Sequence, residues 1–258
     1  LICVPVLPKA AFFPMKHTHK PEEVTVRKQL ISLALLAMMP LAAQAQEEDE
    51  SGFNWNAAAT SEYLFRGISQ TDDHPAIQAG AGYSWSNGLY LGAWASNVDF
   101  GEDTDAEVDT FIGWNGDVTE SVNLDVQLVR YNYIGEPAGV DYAYNELIGK
   151  ATFAENYTAT LGYTNDFLNT DTDSFYGAVG GSWEVGHDIN LTAGLGYTTV
   201  DSDLAPENGY IDYSIGANRD FGPVNIALGY IGTNNDGESL FGEDNAEDKF
   251  VLTFAVGG

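Results

Sequence analysis

Cysteine is almost absent from this 258-residue chain, and basic residues are few. The only cysteine is Cys3, in a segment that we expect to be removed, so the sequence predicts neither a disulfide framework nor thiol chemistry. After residue 45 the chain carries 36 acidic and five basic side chains, a net charge of −31. This charge argues against a nucleic-acid partner, which needs a basic surface, and favours soluble loops or contact with cations.

No apolar run is long enough for a membrane-spanning helix. The longest, residues 30–41, has 12 residues, whereas a spanning helix needs about 20. It follows a basic pair at 27–28 and precedes a small-x-small motif that ends at Ala45, which predicts a signal peptide cleaved after Ala45. A buried core helix is the alternative. Because the chain begins with Leu1, we also expect its first residues, 1–14, to be a mis-assigned start.

Helical periodicity is also missing from residue 53 onward, and a two-residue alternation takes its place. In the segment 188–199, for example, Leu191, Leu195 and Tyr197 alternate with Thr and Gly. Each such segment is near the 9–11 residues that a tilted membrane strand needs. We predict about 12 strands, with about 10 or 14 as alternatives. The predicted bounds are 53–66, 75–85, 88–97, 106–115, 121–132, 141–154, 156–165, 174–185, 188–199, 209–219, 223–232 and 248–256.

The connections between these strands alternate between tight turns and longer acidic loops. Leu-Gly-Tyr recurs at 161–163, 195–197 and 228–230, spaced by 34 and 33 residues, which is the length of one full hairpin. This order predicts an all-β chain that forms an up-and-down antiparallel barrel rather than a Greek key. The expected organisation is a leader and signal peptide over 1–45, a short acidic segment over 46–52, and one barrel over 53–258.

Two barrel types fit this alternation, and the polar face separates them. A soluble secreted barrel turns its apolar face inward, whereas a transmembrane barrel turns it outward. The polar face is rich in Gly, Ser, Thr, Asn and Gln rather than Lys and Glu, and aromatic residues lie toward strand ends. With the signal peptide, these features favour a transmembrane β-barrel of the outer membrane. An even strand number then places the termini in the periplasm and the long loops outside.

Parity along the strands predicts which charged side chains line a pore. The candidates are Glu62, Arg66, Asp109, Asp125, Glu146, Lys150, Glu184 and Asp212. Their excess of carboxylates predicts a narrow, mildly cation-preferring lumen. The alternative is a plugged interior in which charges pair, for example Glu62 with Arg66 or Glu146 with Lys150. The same parity turns Tyr63 and Phe65 toward lipid and makes Gly67 to Pro75 the first extracellular loop.

Signals for a metal centre or an enzyme are weak. Short Asp-x-Asp pairs at 103–105, 171–173 and 201–203 do not continue into a calcium-binding loop, so we expect solvated loops, bridged by divalent cations to lipopolysaccharide. After residue 45 the histidines are His74 and His187, predicted on opposite sides of the membrane with no nucleophile motif beside them. We therefore predict no catalytic residue, no bound metal ion in the barrel and no cofactor.

One stretch carries a resemblance to a known family. It is Tyr63-Leu64-Phe65-Arg66-Gly67-Ile68-Ser69-Gln70-Thr71, with Pro75 and Gly80 after it, and the match continues to about residue 150 through segments such as 88–92 and 144–147. The stretch resembles the hallmark of the TorF family of porins, also called the Gcw_chp family. The chain departs from the family at Ile134-Gly135, where Pro-Gly is usual, and at its end, where Phe254 is the last aromatic residue.

The resemblance implies an outer-membrane, porin-like protein. We predict passive or weakly selective passage of small solutes or ions, in contact with membrane lipid and lipopolysaccharide. The alternative, from a different class, is a non-conducting barrel that stabilises the envelope or binds partners through its acidic loops.

Overall fold

A closed barrel of 12 antiparallel strands forms the protein in a computed structural model that describes residues 51–101, 103–200 and 208–258. The predicted signal peptide, the mis-assigned start and the Asp-x-Asp pair at 201–203 lie outside these residues. The barrel strands are β1 (Gly52–Thr60), β4 (Ala76–Ser84), β5 (Leu89–Asn97), β6 (Ala106–Thr119), β7 (Val122–Ile134), β8 (Tyr144–Phe153), β9 (Tyr157–Thr164), β10 (Ser174–Glu184), β11 (Ile189–Thr199), β12 (Gly209–Phe221), β13 (Val224–Thr233) and β14 (Lys249–Gly257). A two-stranded hairpin, β2 (Leu64–Phe65) and β3 (Ile68–Ser69), lies outside the barrel sheet.

Each barrel strand pairs with its neighbours in the chain, and the first strand closes the sheet against the last. Thr60 of β1 lies opposite Ala76 of β4 on one side and Thr253 of β14 on the other. Closure leaves no unpaired sheet edge, which is what the interior of a lipid bilayer requires of a backbone. The predicted 12-stranded up-and-down barrel is therefore confirmed.

The outer surface of the barrel is apolar and the inner surface is polar. Leu161 is 71% exposed and Ile77 is 68% exposed, although both are large and apolar. On β11, Leu195 and Tyr197 point outward and are exposed. Thr198, the next residue, points inward and is 1% exposed. A water-soluble barrel would bury such an apolar band, so this exterior is that of a transmembrane barrel in contact with lipid.

The two ends of the barrel differ, as predicted. At one end, here called the turn end, neighbouring strands are joined by tight turns, such as 85–88 and 222–223. At the opposite end, here called the loop end, the connections are longer and include 98–105, 135–143 and 234–248. Among the described residues, no helix is long and apolar enough to cross a membrane.

The first predicted strand is too long, and its last residues fold into the barrel instead. β1 ends at Thr60, and every residue from 62 to 71 is buried. Tyr63 and Phe65 are 1% and 2% exposed, so their predicted contact with lipid is wrong. The physical reason is the turn between β2 and β3, where Arg66 (φ 47°) and Gly67 (φ 81°) both adopt the left-handed conformation of a two-residue hairpin turn.

A second difference is helical structure in the last long connection, where the sequence predicts none. α1 (Asn235–Phe241) and α2 (Glu243–Ala246) have seven and four residues, too few to show helical periodicity. α1 buries Leu240 and Phe241, and the ring of Phe241 lies 5.3 Å from that of Tyr210 at the loop end. A short 3-10 helix, Phe167–Asn169, also lies at this end.

Candidate functional site in the barrel interior

A segment of the chain fills the loop end of the barrel. We call residues 62–71 the plug, because they lie in the barrel interior and are not part of the barrel sheet. The plug holds its own shape through hydrogen bonds from Gln70 N to Tyr63 O (2.8 Å) and from Tyr63 N to Thr71 Oγ1 (3.2 Å). Its Tyr63 ring meets Trp94 of β5 edge-on at 5.4 Å. The predicted first extracellular loop is therefore only partly outside, since the part from Asp72 onward is exposed.

The turn of the plug presents Arg66 to the wall. Arg66 Nη2 lies 2.6 Å from Glu146 Oε1 of β8, and both side chains are almost fully buried. The guanidinium also lies over the ring of Tyr176 at 4.0 Å and that of Phe65 at 4.7 Å. Tyr131 donates a hydrogen bond from its hydroxyl to Glu146 Oε2 at 3.0 Å. A buried ion pair needs such additional partners, because desolvation of two charges opposes their attraction.

The charge on Arg66 is stable in this setting. Burial alone lowers the pKa of the guanidinium, but the carboxylate of Glu146 and the surrounding tyrosines outweigh it and raise the pKa above its ordinary value. Arg66 therefore remains a cation inside the barrel.

Two glycines of the repeated Leu-Gly-Tyr motif make room for this cluster. A Cβ at Gly162 would lie 2.7 Å from Glu146 Oε1 and 3.1 Å from Arg66 Nη2. A Cβ at Gly196 would overlap Asp212 Oδ2 and lie 2.5 Å from the Tyr176 hydroxyl. The glycines of the motif therefore have a structural role, because they face inward where bulky polar side chains of other strands need space.

A second cation fastens the outer part of the plug. Lys249 Nζ of β14 lies 3.7 Å from Glu62 Oε1, forms an ion pair with Asp73, and donates to the backbone oxygen of Asp244 at 2.8 Å. Burial raises the pKa of the Glu62 carboxyl, although a hydrogen bond from Ser69 and the charge of Lys249 oppose this rise. Lys249 is not among the predicted residues, yet it has the same inward parity as Val251 and could have been found on β14.

The loop-end interior carries more negative than positive charge. Glu107, Asp109 and Asp212 are each at most 2% exposed and belong to the inward faces of β6 and β12. With Glu62 and Glu146 they make five carboxylates, against the two cations of Arg66 and Lys249, among the described residues of this region. The electrostatic field there favours cations.

The turn end has a different lining. Tyr90 donates to Asp125 Oδ1 at 2.7 Å, Asn115 donates to Asp125 Oδ2 at 3.3 Å, and Lys150 lies directly opposite Asp125 in the strand register. Around this cluster the inner wall presents a band of buried asparagines. They are Asn54, Asn123, Asn190, Asn218 and Asn225.

Seven of the eight predicted lining residues are buried in the barrel interior, and the eighth is exposed. Five of the seven lie on the inner face of wall strands, namely Asp109, Asp125, Glu146, Lys150 and Asp212. Glu62 and Arg66 belong to the plug, so their predicted position on the first wall strand is wrong, because β1 ends at Thr60. Glu184 has inward parity but ends β10, so its side chain is exposed at the turn end. The ion pairs differ from those suggested in the sequence, which were Glu62 with Arg66 and Glu146 with Lys150. Arg66 pairs with Glu146, and Glu62 pairs with Lys249.

One group at the outer rim has the composition of a metal site. Potential ligand atoms of Asp72, His74 and Asp99 lie within 4.8 Å of one another. His74 Nδ1 is 3.2 Å from Thr71 O. Asp72 and His74 are exposed, and the arrangement stays a surface cluster at the edge of the plug.

Comparisons with known proteins agree with the barrel architecture. No curated protein sequence matches the chain. The fold is similar to that of the NanC porin, with a TM-score of 0.52 at 7% identity over 80% of this chain and 98% of that one. The KdgM porin (TM-score 0.47, 8% identity, 81% and 96% covered) and OprD of Pseudomonas aeruginosa (0.40, 12%, 80% and 66%) are more distant. At these identities, the likeness to NanC bears on the fold alone.

The sequence match is more specific than the structural one. A model of the family described as "Bacterial protein of unknown function (Gcw_chp)" matches residues 44–256, which include the plug and all 12 barrel strands up to the last residue but one of β14. The resemblance found in the sequence is thereby confirmed, and the chain belongs to the Gcw_chp family.

Proposed function

We propose that this protein is an outer-membrane channel for small solutes, with a preference for cations and with its loop end closed by the plug. The observation that carries the proposal is the plug itself. Twelve strands enclose a bore between the filled barrels of eight strands and the open pores of 16. Here the loop-end bore is filled by a separate, polar segment with a charged turn, rather than by wall side chains alone. A separate segment can leave its seat while the wall stays intact.

The cation preference follows from the charges that a solute meets. Five buried carboxylates and two cations lie in the plug or around it, and Asp125 lies deeper in the barrel beside Lys150. Rings of carboxylates favour cations in narrow pores, because an anion there would be repelled without the shielding of bulk water. The acidic long loops add to this effect at the entrance.

The proposed location rests on the exterior and on the leader. The apolar outer band requires lipid around the barrel, and the predicted signal peptide directs export. We place the long acidic loops on the cell surface, where divalent cations can bridge their carboxylates to lipopolysaccharide.

Planar-bilayer recording tests the proposal. Residues 46–258 are refolded and compared with a variant in which residues 62–71 are replaced by a Gly-Ser linker of equal length. We expect small steps from the natural chain, larger steps from the linker variant, and a reversal potential in a KCl gradient that indicates cation preference. Absence of channel steps from both proteins, with the barrel folded, would overturn the channel function.

A second function has its own support. The plug is buried as deeply as a protein core, since Ile68 and Gln70 are 0% exposed. Such packing also suits a non-conducting barrel that stabilises the envelope or presents its acidic loops to partners. The same recordings distinguish the two functions, because a non-conducting barrel would show no channel steps even in the variant without the plug.

A further inference from the structure

We propose that the inner wall around Arg66 is a binding site for guanidinium-bearing solutes, and that the plug keeps this site occupied with its own arginine. We call the wall residues Glu146, Asp212, Tyr176 and Tyr131 the guanidinium box. A solute of this class would compete with Arg66 for the box and release the plug. The inference rests on the proposed channel function and adds a substrate class to it.

The geometry of the box matches a planar cation at its edge and on one of its faces. Glu146 accepts from the edge of the Arg66 guanidinium at 2.6 Å, and the ring of Tyr176 covers its face at 4.0 Å. Asp212 supplies a second carboxylate, which interacts electrostatically with the same cation. Edge contact with carboxylates and face contact with an aromatic ring are the two ways in which proteins recognise guanidinium.

The box belongs to the wall and not to the plug. Tyr131, Glu146, Tyr176 and Asp212 lie on β7, β8, β10 and β12, and only the bound cation comes from the plug. Hydroxyl groups position both carboxylates without help from Arg66. Tyr131 donates to Glu146 Oε2 at 3.0 Å, and Tyr176 donates to Asp212 Oδ1 at 3.4 Å. The site would therefore remain formed after Arg66 leaves.

Arg66 does not satisfy the box completely. Its Nε and the Oδ2 atom of Asp212 are both buried without a hydrogen-bond partner among the described residues. The hairpin fixes the backbone of Arg66 in a left-handed conformation, so its side chain reaches the box from a fixed attachment point at the turn. A free guanidinium has no such restriction and can place its donors on both carboxylates.

Other ligand classes fit less well. An anion drawn to Arg66 would meet Glu146 and Asp212 at the same place. A neutral solute such as a urea has the same planar shape but cannot replace the positive charge that two buried carboxylates require. A simple ammonium ion has the charge but lacks the flat face that lies against Tyr176.

Chemical rescue of an arginine-free plug tests the site. Residues 46–258 carrying Arg66→Ala, or Arg66→Met to keep the apolar stem, are refolded and titrated with methylguanidinium chloride by calorimetry. Heat-modifiable migration on gels verifies folding. A tethered side chain acts at an effective concentration on the order of 1 mM, so we expect binding in the millimolar range to both variants and about tenfold weaker binding to the natural chain.

Matched controls make the result specific. Adding Glu146→Gln to either variant should weaken binding about tenfold, and methylurea should not bind. Arg219→Ala, which removes an exposed arginine on the outside of the barrel, should behave as the natural chain does. Equal binding of methylguanidinium with and without Glu146, or equal binding of methylurea, would overturn the inference.

The natural chain offers a test that needs no variant. Methylguanidinium at about 10 mM should increase its conductance in planar bilayers relative to the same concentration of potassium, because the plug is displaced. Rescue without conductance would support the box and contradict the channel. Conductance without rescue, or an equal response to potassium, would support the channel and overturn the box.

Discussion

The loop end and the turn end of the barrel interior are made by the same strands, yet they are filled in different ways. At the turn end, several polar groups bond to partners on the adjacent strand, as in the 2.9 Å bond from Asn115 to Asn123, eight residues apart. At the loop end, the main contacts join distant parts of the chain. Arg66 and Glu146 are 80 residues apart, and Asp73 and Lys249 are 176 apart.

This difference separates the stability of the wall from the position of the plug. Loss of a turn-end bond weakens the pairing of neighbouring strands, and the barrel with it. Loss of a loop-end contact frees a segment that contributes nothing to the barrel ladder, since β2 and β3 pair only with each other. We therefore expect variants at the loop end to change access to the lumen more than the integrity of the barrel.

The largest effect is expected for Glu146→Ala. It leaves the buried Arg66 without its closest carboxylate, and removing one partner of a buried ion pair costs about 3–5 kcal/mol. The plug should leave its seat while the barrel stays folded. Trypsin should then cleave the detergent-folded chain after Arg66, which is the only basic residue of the plug. Mass spectrometry identifies the cut.

Glu184→Ala is the matched control, because Glu184 is an exposed carboxylate at the turn end. It should leave Arg66 as resistant to trypsin as in the natural chain. Resistance of Arg66 in the Glu146→Ala protein would contradict the separation between plug and wall.

A smaller effect is expected for Gly67→Ala. Gly67 has φ +81°, and a Cβ there would lie 2.6 Å from Thr233 Cγ2 and 2.8 Å from Gly232 O. Backbone strain and overlap together should destabilise the seated plug by about 2 kcal/mol. Trypsin cleavage after Arg66 reports this as a faster rate.

Gly101→Ala is the control for replacing a left-handed glycine that does not contact the plug. Gly101 has a similar φ of +72°, but no atom lies within 4 Å of its added Cβ. Only backbone strain remains, in an exposed loop outside the plug, so cleavage after Arg66 should not change. An equal acceleration by both alanines would refute the assigned contact between Gly67 and the wall.

Gly162→Ala should loosen the cluster less, by about 1 kcal/mol, because the Glu146 side chain can shift slightly away from the new methyl group. Gly149→Ala, on the same part of the barrel but facing outward with nothing within 4 Å, should be neutral. Denaturant unfolding in lipid vesicles should rank the two variants in this order. The opposite order would mean that the repeated glycines do not serve the interior.

The smallest effect concerns pH and Glu62. Burial raises the pKa of this carboxyl in the seated plug above that in the released one. Such a group contributes to docking at low pH, and the contribution is lost as the pH rises through the raised pKa. Conductance should therefore increase as the pH rises from the ordinary range of a carboxyl pKa through the raised pKa of Glu62, and Glu62→Gln should reduce the slope. An unchanged slope in Glu62→Gln would show that other groups cause the pH response.

Much of the wall could be predicted from the sequence, because alternation follows directly from the geometry of a strand. Parity alone places Asp125, Glu146 and Asp212 on the inner face, where they lie. Parity says nothing, however, about which inward side chains meet across the bore. The contact between Arg66 and Glu146 depends on how a non-wall segment folds back, and so alternation does not predict it.

The plug escapes prediction for a related reason. Its apolar residues continue the alternation of β1, so Tyr63 and Phe65 fit a longer strand as well as a buried hairpin. The signal that distinguishes the two is Arg66-Gly67 between bulky residues, which suits a two-residue turn. The helices of the last connection carry no comparable signal, because their seven and four residues are stabilised by burial at the barrel mouth.

The closure of β1 against β14 also brings the start of the plug next to the last strand of the barrel. Ser61, the residue before the plug, exchanges backbone and side-chain hydrogen bonds with Leu252 of β14 at 2.9 and 3.0 Å. Lys249, which grips the plug, precedes Leu252 on the same strand. The contacts of Ser61 and of the plug with β14 therefore form only when this last strand pairs with β1. We expect a barrel in which β14 is not yet paired to lack these contacts and to hold the plug less firmly.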